Sequence, residues 1–292
     1  MERNLPFTRG PMAQTTIGVL HPGEMGSVVA ACARQAGARV VWTSQGRRDE
    51  TRRRAEAAGL EDAGSLRDLV KASDVILSVC PPEAALDVAR DVAAAGFTRM
   101  YVDGNAVSPG TAREIARIVE GAGATFIDGG IIGSPPRKAG TTRLYASGAG
   151  APQIKSLFGD SPLEVIVLDA PAGAASAVKM AYASWTKGTS ALILSVRALA
   201  AIEGVEEALL SEWRTSQPQL IKRAEDAAGG SAPKAWRFVG EMEEIAATFA
   251  AAGLPDGFHL AAAEVWRRLS SYKDAPRPSV EDVVQLLAKT RR

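Results

Sequence analysis

Apolar positions follow two different rhythms along this chain of 292 residues. Up to about residue 170 they fall in short runs, at 16–20, 39–43, 74–80, 100–103, 125–128, 144–147 and 165–168. Several runs are apolar at nearly every position, as expected of strands covered by helices on both faces. Alanine-rich stretches with helical spacing lie between them, among them 65–71, 83–95 and 111–121. Strand and helix in alternation predict an α/β domain built on a doubly wound, mostly parallel sheet. Beyond residue 170 the period becomes purely helical, at 174–203, 205–226 with a break near Pro218, 234–252, 256–272 and 280–289. Glycine and proline clusters at 229–233 and 274–278 predict linkers between these helices. The helix over 174–203 would run ~45 Å and is apolar on several faces, so more than one side should be buried by partners. The expected organisation is a disordered leader over 1–14, an α/β domain over 15–170 and an all-helical domain over 171–292. Met12 is a candidate natural start.

Composition narrows the classes. Hydrophobic residues make up 46% of the chain, enough for a sizeable core. A net charge of +1 gives no bulk attraction to nucleic acid or to an acidic surface. The only two cysteines, Cys32 and Cys80, fall in a helix and at a strand end and imply neither a disulfide framework nor a metal site. No segment has the pattern of a signal peptide or a membrane span, and a cytoplasmic location is expected.

Candidate chemistry begins at the first strand. It runs into His21-Pro22-Gly23-Glu24-Met25-Gly26 and then a helix over 27–36. Free amides and the dipole at such a helix start attract a pyrophosphate. Gly23 leaves room for that approach, and Gly26 lets helix and strand pack closely. The usual fingerprint is G-x-G-x-x-G; here His21 holds the first glycine position, as a structural substitute within reach of the pyrophosphate. An acidic residue about twenty positions on would hold the 2′-hydroxyl of NAD. The second strand instead runs out as Thr43-Ser44-Gln45-Gly46-Arg47-Arg48, with Asp49 and Glu50 opening the next helix. Hydroxyls at Thr43 and Ser44 and guanidinium groups at Arg47 and Arg48 suit a 2′-phosphate, so NADP is the expected cofactor. Cys80, Pro81 and Asn105 follow later strands and reach the same C-terminal edge of the sheet, where nicotinamide and substrate would meet.

Four segments together carry a family resemblance: Gly23-Glu24-Met25-Gly26; Asp103-Gly104-Asn105 through Pro109; Asp128-Gly129-Gly130 through Ser134, then Ala139-Gly140-Thr141; and the helix from Gly173 to Lys179. In this order the chain resembles the β-hydroxyacid and 6-phosphogluconate dehydrogenase superfamily over nearly its whole length. Asp103-Gly104-Asn105 leans toward the phosphogluconate branch, and the helical half resembles that of a subgroup whose C-terminal domain has no known function. The resemblance implies a Rossmann-type domain, a homodimer with C-terminal helices packed across the two-fold axis, and Lys179 as acid/base toward a carbonyl or hydroxyl. Asn105, Gly133, Ser134, Lys179 and His259 are the substrate-binding candidates, with Arg137 and Lys138 nearby to attract an anion. Ala183 stands where the family has Asn, and Tyr182, one turn beyond Lys179, is a second candidate proton donor. Lys187 lies about 80° around the helix and ranks lower as a partner. The expected activity is NADP-dependent hydride transfer on a small carboxylate-bearing hydroxy or oxo compound. An imine reductase of the same architecture and a non-catalytic NADP-binding protein are the alternatives.

Overall fold

A computed structural model describes residues 14–273 and 275–289. The expected leader, apart from residue 14, lies outside the described residues, as does residue 274 of the expected last linker. Eight strands form one sheet: β1 (Thr16–Leu20), β2 (Arg39–Trp42), β3 (Glu61–Asp62), β4 (Val75–Ser78), β5 (Met100–Asp103), β6 (Thr125–Gly133), β7 (Thr142–Ser147) and β8 (Leu163–Val167). Their order is β3-β2-β1-β4-β5-β6-β7-β8. The first six run parallel in the order 3-2-1-4-5-6 of a Rossmann domain. β7 turns back antiparallel to β6, and β8 follows β7. The chain reverses its direction of travel between β1 and β4, which opens a crevice at their carboxyl ends.

Helices cover both faces. α1 (Glu24–Gln35) and α6 (Ala151–Phe158) share a core with Val19, Val40, Leu77 and Ile127. On the other face α3 (Leu66–Ala72), α4 (Ala85–Ala94) and α5 (Pro109–Gly121) bury Ile76, Tyr101, Ile115 and Phe126. α2 (Asp49–Ala57) joins β2 to β3. The central strands β1, β2 and β4 are apolar and buried along almost their whole length, as a doubly covered sheet requires.

The helical region starts with α7 (Ala174–Ile202), a single helix of 29 residues. It continues through α8 (Glu206–Ser216), α9 (Gln219–Asp226), α10 (Ala235–Ala251), α11 (Gly257–Arg268) and α12 (Val280–Lys289). Met180, Leu194, Trp213, Met242, Trp266 and Val283 are among the residues of its core. The break near Pro218 separates α8 from α9.

Several boundaries differ from the sequence reading. α1 starts at Glu24, not residue 27, because Gly23 itself is the residue preceding the first turn. β6 continues past residue 128 to Gly133, because β7 pairs with that extension. The expected linker 229–233 stays helical, as a π-type segment Ala227–Ser231 and a 3₁₀ turn Ala232–Lys234. Gly229 is buried there, and the Arg277 side chain occupies the space a β-carbon would need.

Candidate active site at the carboxyl edge of the sheet

The glycine turn is shaped by one unusual backbone. His21 is the one described non-glycine residue with positive φ, 63°. Histidine tolerates this left-handed conformation better than most residues, which explains how it stands in for glycine. The turn closes with the Gly23 amide donating to the His21 carbonyl at 2.7 Å. A β-carbon on Gly26 would lie 2.8 Å from that same carbonyl oxygen, so only glycine fits. Pro22 is buried, and Met25 packs on the core beneath. No side chain caps α1, and the amides of Glu24, Met25 and Gly26 have no acceptor among the described residues. By contrast, α3 is capped by Ser65 and α5 by Ser108. The glycine turn is thus an open anion cradle.

The pocket beside it is lined by His21, Thr43, Gln45, Arg47, Leu66 and Val88, among others. Nδ1 of His21 and Nε of Arg47 are buried here without partners among the described residues. Burial, and then the Arg47 charge, lower the His21 pKa to about 4, so its ring is neutral at pH 7. Arg48 is exposed and makes no side-chain hydrogen bond or ion pair among the described residues. Thr43 stands at the end of β2, on the wall of this pocket. Its hydroxyl is buried and donates to the Gly64 carbonyl at 2.8 Å, so it fastens the β2 end to the chain after β3. The Ser44 amide donates to Asp62 at 3.1 Å, and Gly64 donates to the same oxygen at 2.8 Å. That carboxylate was missed in sequence because it arrives on the two-residue strand β3.

Across the crevice lies Asn105. Its Oδ1 accepts the Cys80 amide at 2.6 Å and its Nδ2 donates to Ser78 Oγ at 3.1 Å. The side chain is buried and clamps the ends of β4 and β5. Burial pushes the Cys80 thiol up to about 12, with the Asp103 charge adding to it, so the sulfur stays protonated. Pro81, next in the chain, is exposed at the cleft rim. Asp103 itself is fully buried; burial raises its pKa to about 7, with Asp128 and Glu244 adding and hydrogen bonds from Asn105 opposing.

The third wall is α7. Asp128, buried at the end of the parallel part of β6, acts as its cap from a distant part of the chain. Asp128 Oδ2 accepts from the amides of Gly173 at 2.8 Å and Ser176 at 3.0 Å and from the Ser147 hydroxyl at 2.8 Å. Its Oδ1 accepts the Ser176 hydroxyl at 2.6 Å. An anion at a helix start also complements the dipole. Gly130 lets α7 lie directly on the strand: a β-carbon there would be 2.6 Å from the Ala175 carbonyl and 3.1 Å from Lys179 Cβ.

Lys179 therefore sits where β6, α7 and α10 converge. Its amine has no hydrogen bond or ion pair among the described residues. Desolvation lowers its pKa to about 8; the Lys187 charge also lowers it, and the Glu241 charge opposes. Lys187 and Glu241 form a largely buried ion pair, 13% and 14% exposed, between α7 and α10. Sequence reasoning ranked Lys187 low and missed Glu241, since only the α7–α10 packing joins them to Lys179. α10 is fastened on both sides of this pair. Arg237 reaches Glu24 of the glycine turn at 3.2 Å, and Glu244 accepts the Ser108 amide at 2.6 Å and the Thr111 hydroxyl at 2.9 Å.

The remaining candidates lie further out. Tyr182 is exposed on the flank of α7, and its hydroxyl has no partner among the described residues. Gly133 and Ser134 are exposed where the chain turns from β6 to β7, and the Ser134 carbonyl accepts the Thr142 hydroxyl. Gly133 is three residues beyond Gly130, ~10 Å along the strand. Arg137 and Lys138 are exposed in the same loop. His259 lies in the first turn of α11. Its ring is buried against Phe249, centroids 4.2 Å apart, beside Gly188. Phe249 lies eight residues past Glu241 on α10, ~12 Å along the helix, and Nδ1 of His259 is buried with no hydrogen-bond partner among the described residues.

Fold and glycine turn together define a dinucleotide-binding α/β protein with a helical C-terminal region. Residues 16–157 match the NAD binding domain of 6-phosphogluconate dehydrogenase, and residues 200–269 match a domain of unknown function, DUF1932. An uncharacterized 28.5 kDa protein of Methanothermus fervidus is 35% identical over 168 residues, 57% of this chain. The chain spans 63% of that relative's length. A conserved protein of unknown function, described as structurally similar to 3-hydroxyacid dehydrogenases, superposes with a TM-score of 0.64 at 29% identity, covering 88% of this chain and 97% of that one. The 3-hydroxyisobutyrate dehydrogenase of Mycobacterium tuberculosis, solved with L-serine, gives 0.66 at 20% identity over 94% and 99%. A reductive aminase from Aspergillus terreus, solved with NADPH, cyclohexanone and allyl amine, gives 0.55 at 18% over 96% and 100%. The chain thus carries a 6-phosphogluconate dehydrogenase-type NAD-binding domain followed by a DUF1932 domain. Among the described residues, no helix is long and apolar enough to cross a membrane.

Proposed function

We propose that this protein is an NADP-dependent oxidoreductase acting on a small carboxylate-bearing hydroxy or oxo compound, with Lys179 as its acid/base. The dehydrogenase or reductase class is supported by the matched NAD-binding domain and by the fold neighbours. The observation that carries the lysine's role is its amine, unpaired and desolvated where α7 crosses Gly130. Uncapped amides at Glu24, Met25 and Gly26 fit a pyrophosphate, and the partnerless Nε of Arg47 fits a phosphate nearby. NADP, when bound, supplies or accepts the hydride. Lys179 in its ammonium form gives a proton to a substrate carbonyl oxygen; as the free amine it takes one from a hydroxyl. With its pKa near 8, kcat/KM for reduction is expected to fall as pH rises through about 8, and for oxidation to rise. A pH profile in both directions checks this. The exposed cations Arg137 and Lys138 at the rim are assigned to attracting the substrate carboxylate.

Cofactor choice rests on Arg47 and Arg48. NADP is expected to bind more tightly than NAD, and an Arg47→Ala, Arg48→Ala double variant to lose about 10–100-fold in NADP affinity with little change for NAD. Calorimetry measures both. Equal affinity of the parent protein for the two cofactors would refute the preference.

The imine-reductase reading is favoured by one feature, Tyr182, a free hydroxyl one turn from Lys179. It ranks second because that side chain is exposed and Lys179 is desolvated. A homodimer is the third element. Tyr182, Trp185, Leu192 and Leu199 of α7 are 51%, 63%, 61% and 59% exposed. Their spacing of three, seven and seven residues puts them on one face. Covering that stripe with a second copy removes apolar area from water at ~25 cal/mol per Å². Light scattering at micromolar concentration is expected to give a dimer, and a Leu192→Glu, Leu199→Glu variant a monomer. A monomeric parent protein would count against the assembly.

A further inference from the structure

We propose that Arg237 of α10 is a phosphate ligand of the dinucleotide, held at the glycine turn by Glu24 and passed from that carboxylate to the pyrophosphate when the cofactor binds. The proposal rests on the dinucleotide reading of the glycine turn and not on the role of Lys179. It adds a residue from the helical region to a cradle otherwise built by the α/β domain alone.

One face of α10 lies along the mouth of the crevice. Arg237 Nη1 is 3.2 Å from Oε2 of Glu24, in the turn after β1. A β-carbon on Gly240 would lie 3.3 Å from Pro82 Cγ and from Glu83 Oε2, in the chain after β4. Glu244 accepts the Ser108 amide at 2.6 Å, in the chain after β5. Residues 237, 240 and 244 are three and four apart, hence neighbours on one helix face. β1, β4 and β5 are adjacent in the sheet in that same order. The helix therefore crosses the carboxyl ends of the strands where a dinucleotide lies, with its first turn over the glycine turn.

Glu24 is the first residue of α1, and its own amide is one of the three without an acceptor. A carboxylate there suits the helix dipole. It also places a negative charge where the two charges of a pyrophosphate would arrive. The Arg237 guanidinium is separated from the cradle by that one side chain. Arg237 and Glu24 are 34% and 48% exposed, and an ion pair this open to water contributes little to stability. It is therefore easily opened. The guanidinium presents five donors in a planar fork that matches phosphate oxygens. A pyrophosphate seated on the open amides offers it two charges, against one on a solvated carboxylate.

The measurement is calorimetric titration of the full-length protein with NAD, NADP and 2′-AMP, which has the 2′-phosphate but no pyrophosphate. Arg237→Gln should weaken NAD and NADP alike by about tenfold and leave 2′-AMP unchanged. Glu24→Gln removes the competing carboxylate and should tighten both dinucleotides by about threefold. The double variant decides between contact and mere neutralisation: in the Glu24→Gln background, Arg237→Gln should still cost about tenfold. A loss that disappears in that background would mean that Arg237 only offsets the Glu24 charge, and would overturn the proposal. Unchanged dinucleotide affinity in Arg237→Gln, or an equal loss for 2′-AMP, overturns it too. Should the glutamine variant fail to fold, Arg237→Lys keeps the charge without the fork and should lose part of the affinity for both dinucleotides; full affinity would refute the contact. Equal affinity of the parent for NAD and NADP would remove the preference assigned to Arg47 and Arg48 and leave Arg237 standing. Dinucleotide binding unmoved by Arg237→Gln would remove Arg237 alone.

Discussion

Replacing Lys179 by Met is expected to slow the chemical step by ~10²–10⁴-fold, the usual worth of a positioned acid–base group. NADP affinity should stay within about twofold, because the pyrophosphate amides and Arg47 lie on the other side of the crevice. Stability should move the opposite way to activity. Burial holds the Lys179 pKa at about 8 in the folded protein against 10.5 ordinarily. Below pH 8 the folded chain therefore carries a proton it binds less well than the unfolded chain does. That penalty is fully present at neutral pH and fades as pH rises from about 8 toward 10.5. Methionine fills much the same space without the charge. The variant should be more stable at pH 7 by about 1–3 kcal/mol, at one pKa unit to 1.36 kcal/mol and discounted for lost attraction to Glu241. Its Tm should rise by a few degrees, and the advantage should vanish near pH 10. Calorimetric melts across pH and steady-state turnover check both halves. Loss of activity together with loss of stability would mark Lys179 as a structural residue. Tyr182→Phe is expected to cost less than tenfold. Full turnover in Lys179→Met with abolition in Tyr182→Phe would hand the proton to the tyrosine and make imine reduction the leading reading.

What the sequence carried well is local. Runs such as 39–43 and 74–80 are apolar at nearly every position, so they announce buried parallel strands without any tertiary knowledge. The glycine turn announces itself because Gly23 and Gly26 serve the backbone directly, and even His21 fits once its left-handed φ is seen. Proline at 218 breaks a helix by removing an amide, again a local effect. What escaped is long-range. β3 has two residues, both exposed and both acidic, and no pattern marks it as a strand; with it went Asp62 and the reason Thr43 is occupied. The β6 extension over Gly129–Gly133 is visible only once β7 is laid beside it. The glycines at 229–230 read as a linker, yet packing against Arg277 keeps that segment helical. What the sequence could not give for Asn105 and His259 is their neighbours: the Asn105 amide bonds Ser78 and Cys80, and the His259 ring lies against Phe249. Lys187 and Glu241 are 54 residues apart, and only the crossing of α7 and α10 makes them a pair.

Asp128→Ala is expected to be the most destabilising single change in the cleft, at about 3–5 kcal/mol. One carboxylate there satisfies two backbone amides and two hydroxyls, all buried. Alanine leaves Gly173 N and Ser176 N without acceptors, and each such orphan costs about 1–3 kcal/mol. It also removes the anion that faces the dipole of a 29-residue helix. Asp128→Asn should cost only about 1 kcal/mol. An amide oxygen in the Oδ2 position keeps the three donors, and the amide nitrogen can donate to Ser176 Oγ, a hydroxyl able to reverse its role. The asparagine cost should also shrink as pH rises. Asp103 has its folded pKa raised to about 7, partly by the Asp128 charge. The folded protein thus binds that proton more tightly than the unfolded chain, and stability falls as pH rises from about 4 through 7. Removing the neighbouring charge lowers the Asp103 pKa and softens that decline. Urea denaturation of parent, Asn and Ala variants at pH 5 and pH 8 resolves the pattern. An Ala variant within 1 kcal/mol of the parent would mean that water or another side chain caps α7, and that Asp128 does not anchor the helix carrying Lys179. The expected Ala result is the reverse: a loosened helix start, with Ser176 three residues before Lys179, and turnover lost even in the fraction that remains folded.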